Sequence, residues 1–506
     1  MKNKLLALLT VVCLLVASLP FTMAAFAEGE PVKLKAIVSN HTITKDLNEF
    51  EWLQKLEDAA GVDVEWQCIY SDWGTLKSTL FASLDLPDFF FAGNTLSMSD
   101  IINNVELFVP LNDYIENSTN LKPLYDNDPY MGQKTILEDG NIYSLTNRLP
   151  CRPYTATGVF INKTWLDTLD LEMPTTLDEL LDVMIAMKER DPNGNGQADE
   201  FPWVGASDAA DWLMGSFGVA ASNYQLMMDD EGKLTNVYMT DAYKEAIRFQ
   251  TKCYAAGVID PEIFTQDWSV AYAVSQQQPQ VVGLCQAWTI SAICGPVNKV
   301  DYTTMPILKS SPDSDTKLAW PGHPATLVYN HDVVFAMTIN CPEEKRQPLF
   351  DFIDSLYTNE NTMRQWGGEG VIFNDDGSVE VTVPVEGMSL DDYQWTYAYN
   401  DKAVGYVSED YEKRVNLNEE QVEKFEIDAV YRDHITNAIP LVILSTDDSA
   451  ELSVIRTDMD NIRRQYKTEW VVGEKDIDET WDQYIADMKA AQVDRYVEIY
   501  QHAIDK

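Results

Sequence analysis

The sequence predicts an α/β protein of two lobes with a helix-rich C-terminal lobe. Three observations predict it: strands and helices alternate from residue 33 onward, a second such series opens near Lys163, and the pattern is helical from about Glu419.

Residues 33–38 read as a short apolar strand. Phe50, Leu53, Leu56 and Ala60 then fall at helical spacing until Gly61 stops the helix. Val62, Val64, Trp66 and Cys68 alternate with polar residues, 73–84 is helical in pattern, and 87–92 reads as a buried strand. This alternation implies a largely parallel sheet, with ligand loops at the carboxyl ends of strands. The loops carrying Trp73 and Asn94 follow strands in this way. In the second series, Thr176 and Glu179 have capping-box spacing, and Leu177, Leu180, Leu181, Met184 and Met187 form the inward face of the helix they open. Residues 281–284 and 333–336 read as strands and 346–356 as a helix. Trp470, Trp481 and Tyr484 anchor the C-terminal helices, and Trp165 is read as core.

With 37 Lys and Arg against 81 Asp and Glu, the formal charge is −44. Such a surface repels phosphate backbones and anionic lipid headgroups, so neither nucleic acid nor a membrane surface is an expected partner. The 45% hydrophobic and 11% aromatic content suffices for packed cores, so the acidity belongs to a solvated surface.

Lys2 and Lys4, an apolar run over 5–19 and small residues ending at Ala27 have the order of a secretory signal peptide over residues 1–27. A secreted chain beginning at Glu28 is expected. Cys13 follows Val12 rather than a small residue, which argues for simple secretion over a lipid anchor. The remaining six cysteines show no metal-ligand spacing, and sequence leaves open whether they pair.

The sharpest motif runs from Asp191 to Glu200. Asp191, Asn193 and Asn195 occupy positions one, three and five, with Gly196 at six, matching the first half of an EF-hand calcium loop. Position twelve is Pro202 rather than Glu, so Asp199 and Glu200 would complete the shell, with Gln197 between. A structural calcium ion held by Asp191, Asn193, Asn195, Gln197, Asp199 and Glu200 is expected. The competing reading is a polar, glycine-rich turn.

The chain has 13 tryptophans and 24 tyrosines. Sugar rings present flat C–H faces that indoles cover, while amides and carboxylates take the hydroxyls at the edges. Trp73, Trp288, Trp320 and Trp366 stand at loops after strands or beside glycine, with Trp395 a further candidate. Asn94 and Tyr154 complete the expected ligand contacts. For any single indole, core packing competes equally. Catalytic signatures are scarce: there is no GxSxG, HExxH or GxxxxGK, and the five histidines lack ligand spacing.

Several stretches carry a resemblance in their order along the chain: Phe81 to Asp88, Gly158 to Leu166, Asp191 to Glu200, Asp230 to Leu234, Gly257 to Pro261, Trp366 to Gly370 and Thr480 to Tyr484. They resemble the extracellular solute-binding proteins of bacterial ABC importers, carbohydrate-binding family one, in its LplA-like branch, which includes alginate-oligosaccharide receptors. The resemblance implies a periplasmic-binding-protein-like fold of the class II type with three hinge crossings, near 162–165, 295–301 and 337–341. The lobes would be 28–163 with 297–340 and 164–296 with 341–506. It also implies a calcium-binding acidic loop, a carbohydrate ligand and permease partners. The alginate receptors need cationic partners for uronates, and here Arg148 and Arg152 are the basic pair placed near the first crossing, so a neutral oligosaccharide is expected. The reading is a monomeric, non-enzymatic receptor for a mono- or oligosaccharide. Its rivals are a secreted glycoside hydrolase or lyase, and a receptor of the same fold for a peptide or other small solute.

Overall fold

The computed structural model describes residues 30–505 apart from 154, 156, 207–209, 221–223, 319–328, 330, 436–438, 440, 441 and 443. The expected leader over 1–27 lies outside the described residues.

Two four-stranded sheets organise two α/β lobes. In the first, Val32–Ser39 lies between Val62–Ile69 and Phe89–Phe91, parallel to both, and Phe335–Met337 closes the edge antiparallel to Phe89–Phe91. The register pairs Val32 with Val62 and Val38 with Cys68. This puts Leu34, Ala36 and Val38 on the same face as Val62, Val64 and Trp66, and all six are buried. Phe89, Phe90 and Phe91 are each at most 1% exposed, and burying such a ring contributes about 1.5–3 kcal/mol. The first helix, Glu51–Ala60, ends where Gly61 takes φ 69°, a left-handed cap that glycine adopts without a Cβ clash.

The second sheet runs Phe201–Trp203, Val282–Ala287, Gly158–Asn162, Tyr302–Thr304. Only the first of its three pairings is parallel, so this sheet is mixed. The capping box is present: Thr176 Oγ1 accepts from the Glu179 N–H at 3.3 Å, and Glu179 Oε2 accepts from the Thr176 N–H at 3.2 Å. The helix it opens, Leu177–Glu189, buries Leu177, Leu180, Val183, Met184 and Met187.

The lobe boundaries expected from sequence need correction. One core joins Leu34, Val64 and Phe91 to Cys341, Phe350, Trp366 and Val415, so residues 341–416 pack with the first lobe and not the second. The physical reason is the helix Glu343–Leu356, which buries Leu349, Phe350, Phe352, Ile353 and Leu356 against the first sheet and its helices. Conversely, Gly158–Asn162 and Tyr302–Thr304 are strands of the second sheet, and the Asn162 Oδ1 caps a second-lobe helix through the Trp165 N–H.

The first lobe is therefore built from residues up to about 152 and from about 329 to 416, the second from 158 to 318 and from 419 onward. The chain passes between them three times. The described residues change lobe between Arg152 and Gly158, between Leu318 and Tyr329, and at 417–418, not at 162–165, 295–301 and 337–341. Those three expected positions pack within one lobe or the other.

The C-terminal helices Thr446–Val471, Ile477–Ala490 and Val493–Ile504 pack on the second lobe, where the Trp470 and Trp481 rings lie 5.7 Å apart. All six cysteines from Cys68 onward are free thiols, with Cys285 and Cys294 in van der Waals contact at 3.7 Å. Among the described residues, no helix is long and apolar enough to cross a membrane.

Candidate functional site

A cavity of about 330 Å³ lies between the lobes, within the roughly 300–1,000 Å³ of small-molecule sites. Its first-lobe wall carries Trp366, Asp391, Gln394, Trp395 and Asp401. Its second-lobe wall carries Trp288, Gln421 and Lys424, and Arg152 stands at the first crossing.

Local folding explains each position. Trp366 ends the helix Asn359–Gly367, and Gly368 turns the chain at φ 58°. A Cβ there would lie 2.9 Å from the Tyr397 carbonyl, so only glycine lets this turn approach the helix Leu390–Tyr397. Gln394 Nε2 ties the two elements by donating to the Trp366 carbonyl at 3.2 Å. Trp395, one residue on, is half-buried and its ring lies tilted at 35° with its centroid 4.9 Å from that of His41. Trp288 follows the strand Val282–Ala287, at the carboxyl end where ligand loops gather. Next to it, Thr289 Oγ1 caps the following helix by accepting the Ala292 N–H at 3.1 Å.

The segment bearing Arg152 is pinned from both lobes. The Arg148 N–H donates to the Gly405 carbonyl at 3.0 Å and the Cys151 N–H to Glu412 at 2.6 Å, both in the first lobe. The Thr155 N–H donates at 2.8 Å to Asp428, on the second-lobe helix Glu419–Tyr431.

The gap holds charge of both signs in low dielectric. Burial pushes the Asp391 carboxyl up to about 6, against a hydrogen bond from Asn400 that favours ionisation. Burial also pushes Asp401 upward, but the hydrogen bond from His331 and the positive charges of Arg152 and Lys402 outweigh it, so Asp401 ends below the ordinary carboxylate value. Burial lowers Lys424 to about 7 and lowers Arg152 as well. Both cations lie over the Trp288 ring, the Lys424 Nζ 4.1 Å and the Arg152 Cζ 5.6 Å from its centroid.

Of the seven residues expected to touch ligand, Trp288, Trp366 and Trp395 line the gap. Trp73 and Asn94 do not. The Trp73 Nε1 donates to the Thr95 carbonyl at 2.7 Å and its ring packs 6.2 Å from Phe90, so this indole covers the first lobe's own sheet. Asn94 is solvent-exposed on a turn. Tyr154 and Trp320 lie outside the described residues. Sequence reasoning did not select Asp391, Gln394, Asp401, Gln421 or Lys424. Asp391 and Gln394 flank the Trp395 candidate, but Gln421 and Lys424 sit in an ordinary helical period that carries no local sign of a site.

The Asp191–Glu200 loop has oxygen-rich geometry. Asp191 accepts the Asn195 N–H at 3.1 Å and the Gly196 N–H at 2.9 Å, while the Asn193 and Asn195 side-chain oxygens accept the Asn195 and Gln197 N–H at 3.0 and 2.7 Å. Gly194 and Gly196 take φ 69° and 75° to make the turn. Asp199 accepts from the Asn193 and Asn195 amides. Glu200 is buried and, among the described residues, neither of its oxygens has a hydrogen-bond partner at ordinary distance; burial raises its carboxyl against the nearby Glu200 and Asp199 backbone N–H groups, and the charges of Asp199 and Asp191 raise it further. Gln197 is exposed. Among the described residues, no three or more His, Cys, Asp or Glu side chains converge as a metal site. Any cation here would therefore need the Asn193 and Asn195 amide oxygens as well as the carboxylates.

Two α/β lobes joined by three crossings around an aromatic and charged gap define a two-lobed binding protein. Residues 44–363 match the model of the bacterial extracellular solute-binding proteins, and the chain belongs to that family. It is similar to the fructooligosaccharide ABC transporter substrate-binding protein FusA of Streptococcus pneumoniae serotype 4, at 27% identity over 95% of this chain and 91% of the relative. The structure of FusA in complex with kestose superposes with a TM-score of 0.84 at 25% identity, covering 94% of this chain and 99% of that one. The polygalacturonan/rhamnogalacturonan-binding protein YtcQ of Bacillus subtilis is 32% identical over 34% of this chain and 32% of its own. An HMO-binding solute-binding protein from Bifidobacterium longum infantis shares the fold, with a TM-score of 0.80 at 22% identity over 94% of this chain and 99% of that one.

Proposed function

We propose that this chain captures a short oligosaccharide outside the cell, closes its lobes over it and presents the closed form to the permease of an ABC importer. The observation that carries the reading is the meeting of Trp288, Trp366 and Trp395 with ionised and amide side chains across one gap. Indoles cover the apolar faces of a sugar, and the polar groups between them take its hydroxyls. The relatives named for oligosaccharide or polygalacturonan binding support it. Ligand binding energy then stabilises the closed arrangement against the open one.

Calorimetric titration and small-angle scattering with an oligosaccharide panel test the proposal. Binding that reduces the radius of gyration is expected, and tight binding with unchanged dimensions would count against closure. Product analysis after incubation separates this reading from a glycoside hydrolase: intact sugar is expected, and turnover would overturn it.

We further propose that the Asp191–Glu200 loop holds a structural calcium ion. Asp191, Asn193, Asn195, Asp199 and Glu200 would supply oxygens, and the buried Glu200 carboxylate, without a hydrogen-bond partner at ordinary distance among the described residues, is the group a hard cation would satisfy.

A further inference from the structure

We propose that Arg152 is the specificity residue of the gap, its Nε and Nη2 donors acting with the Asp391 and Asp401 carboxylates to select a neutral pair of adjacent sugar hydroxyls and to reject a uronate.

This rests on the oligosaccharide reading and names the chemistry within it. Nε and Nη2 of Arg152 are buried and neither has a hydrogen-bond partner among the described residues. A buried donor left unpaired is costly, more so on a charged group. Arg152 lines the cavity, the backbone on either side of it is held through the Cys151 and Thr155 N–H groups, one to each lobe, and its guanidinium rests over Trp288. The guanidinium is therefore held at the cavity wall before any guest arrives.

The carboxylates decide which guest fits. Asp391 and Asp401 line the same cavity and are close enough for their charges to act on Arg152. One Asp391 oxygen accepts from Asn400 at 3.3 Å. A hydroxyl can accept from Arg152 and donate to a carboxylate in the same site, and two adjacent hydroxyls match the parallel Nε–H and Nη2–H fork. A carboxylate guest accepts from the fork equally well, but it has no proton to give Asp391 or Asp401 and meets their charge in low dielectric. Glu420, on the same cavity wall, adds a third acid, so three carboxylates face the two cations Arg152 and Lys424. Arg152 in isolation would mark an acidic-sugar site; its setting among three carboxylates reverses that expectation.

Titration calorimetry of the leaderless chain, near neutral pH, with kestose and with trigalacturonate provides the test. Kestose is expected to bind, with trigalacturonate weaker by about 100-fold. Arg152→Lys keeps a charge but loses the fork, and Arg152→Gln loses both; each should weaken kestose by roughly 10- to 100-fold while circular dichroism stays unchanged. Asp391→Asn should weaken kestose and strengthen trigalacturonate, narrowing the preference. Equal or tighter binding of trigalacturonate, or Arg152→Lys binding kestose within about twofold of the parent, would overturn the proposal and leave the oligosaccharide reading standing. Failure of both sugars to bind the parent chain would overturn both.

Discussion

The Glu420 carboxylate accepts the Leu390 backbone N–H at 3.0 Å through both of its oxygens. Glu420 belongs to the helix Glu419–Tyr431, whose Ile427 and Tyr431 are buried in the second lobe. Leu390 opens the first-lobe helix that carries Asp391 and Trp395. One side chain thus caps a helix across the lobe boundary.

Glu420→Ala should therefore act on closure more than on folding. Losing such a cap costs about 1 kcal/mol, which for a chain of this length predicts a melting temperature lower by about 1 °C. The same loss weakens sugar binding about fivefold, through a smaller closed population. Calorimetric titration beside differential scanning calorimetry measures both, and unchanged affinity would show that this contact does not stabilise the closed form.

Trp395→Ala removes a half-buried ring from the gap and should cost about 2 kcal/mol of binding, near 30-fold in Kd, with little loss of stability. Trp73→Ala is the contrasting variant. It should leave affinity unchanged while lowering the melting temperature, because that ring packs on Phe90 and its Nε1 is hydrogen-bonded within the first lobe. The reverse pattern would place the ligand elsewhere.

Asp391 predicts a pH dependence of stability. Its folded value of about 6 stands above the ordinary 3.8. Between those values the folded chain holds a proton that the unfolded chain has released, so stability falls as pH rises through this window. Above about pH 6 the full cost, about 3 kcal/mol, is in place. Asp391→Asn removes it: the melting temperature near neutral pH should rise and its fall between pH 4 and 6 should flatten. Parallel melting curves for parent and variant over that range would argue against a buried acid.

Calcium should raise the melting temperature, by the equivalent of about 2.7 kcal/mol at 100 times its Kd. A chelator should reverse this in the parent chain but not in Asp191→Ala or Glu200→Gln. A chelator that leaves the parent's melting curve unmoved would make the loop an ordinary turn.

The sequence by itself determined the local elements: the strand Val32–Ser39, the helix ended by Gly61, the Thr176 and Glu179 capping box and the turn through Gly194 and Gly196. Each follows from side-chain period, caps or positive φ, which act within a few residues. It also offered the indoles as candidates, and could not say that Trp288 faces the gap while Trp73 covers a sheet, since a tryptophan suits either place. Only tertiary structure decided that residues 341–416 return to the first lobe, and that Arg152, Asp391, Asp401 and Lys424 meet in one cavity. Those partners lie far apart along the chain, and what joins them is the burial of apolar faces such as Phe350 and Ile427, a long-range effect that no local pattern encodes.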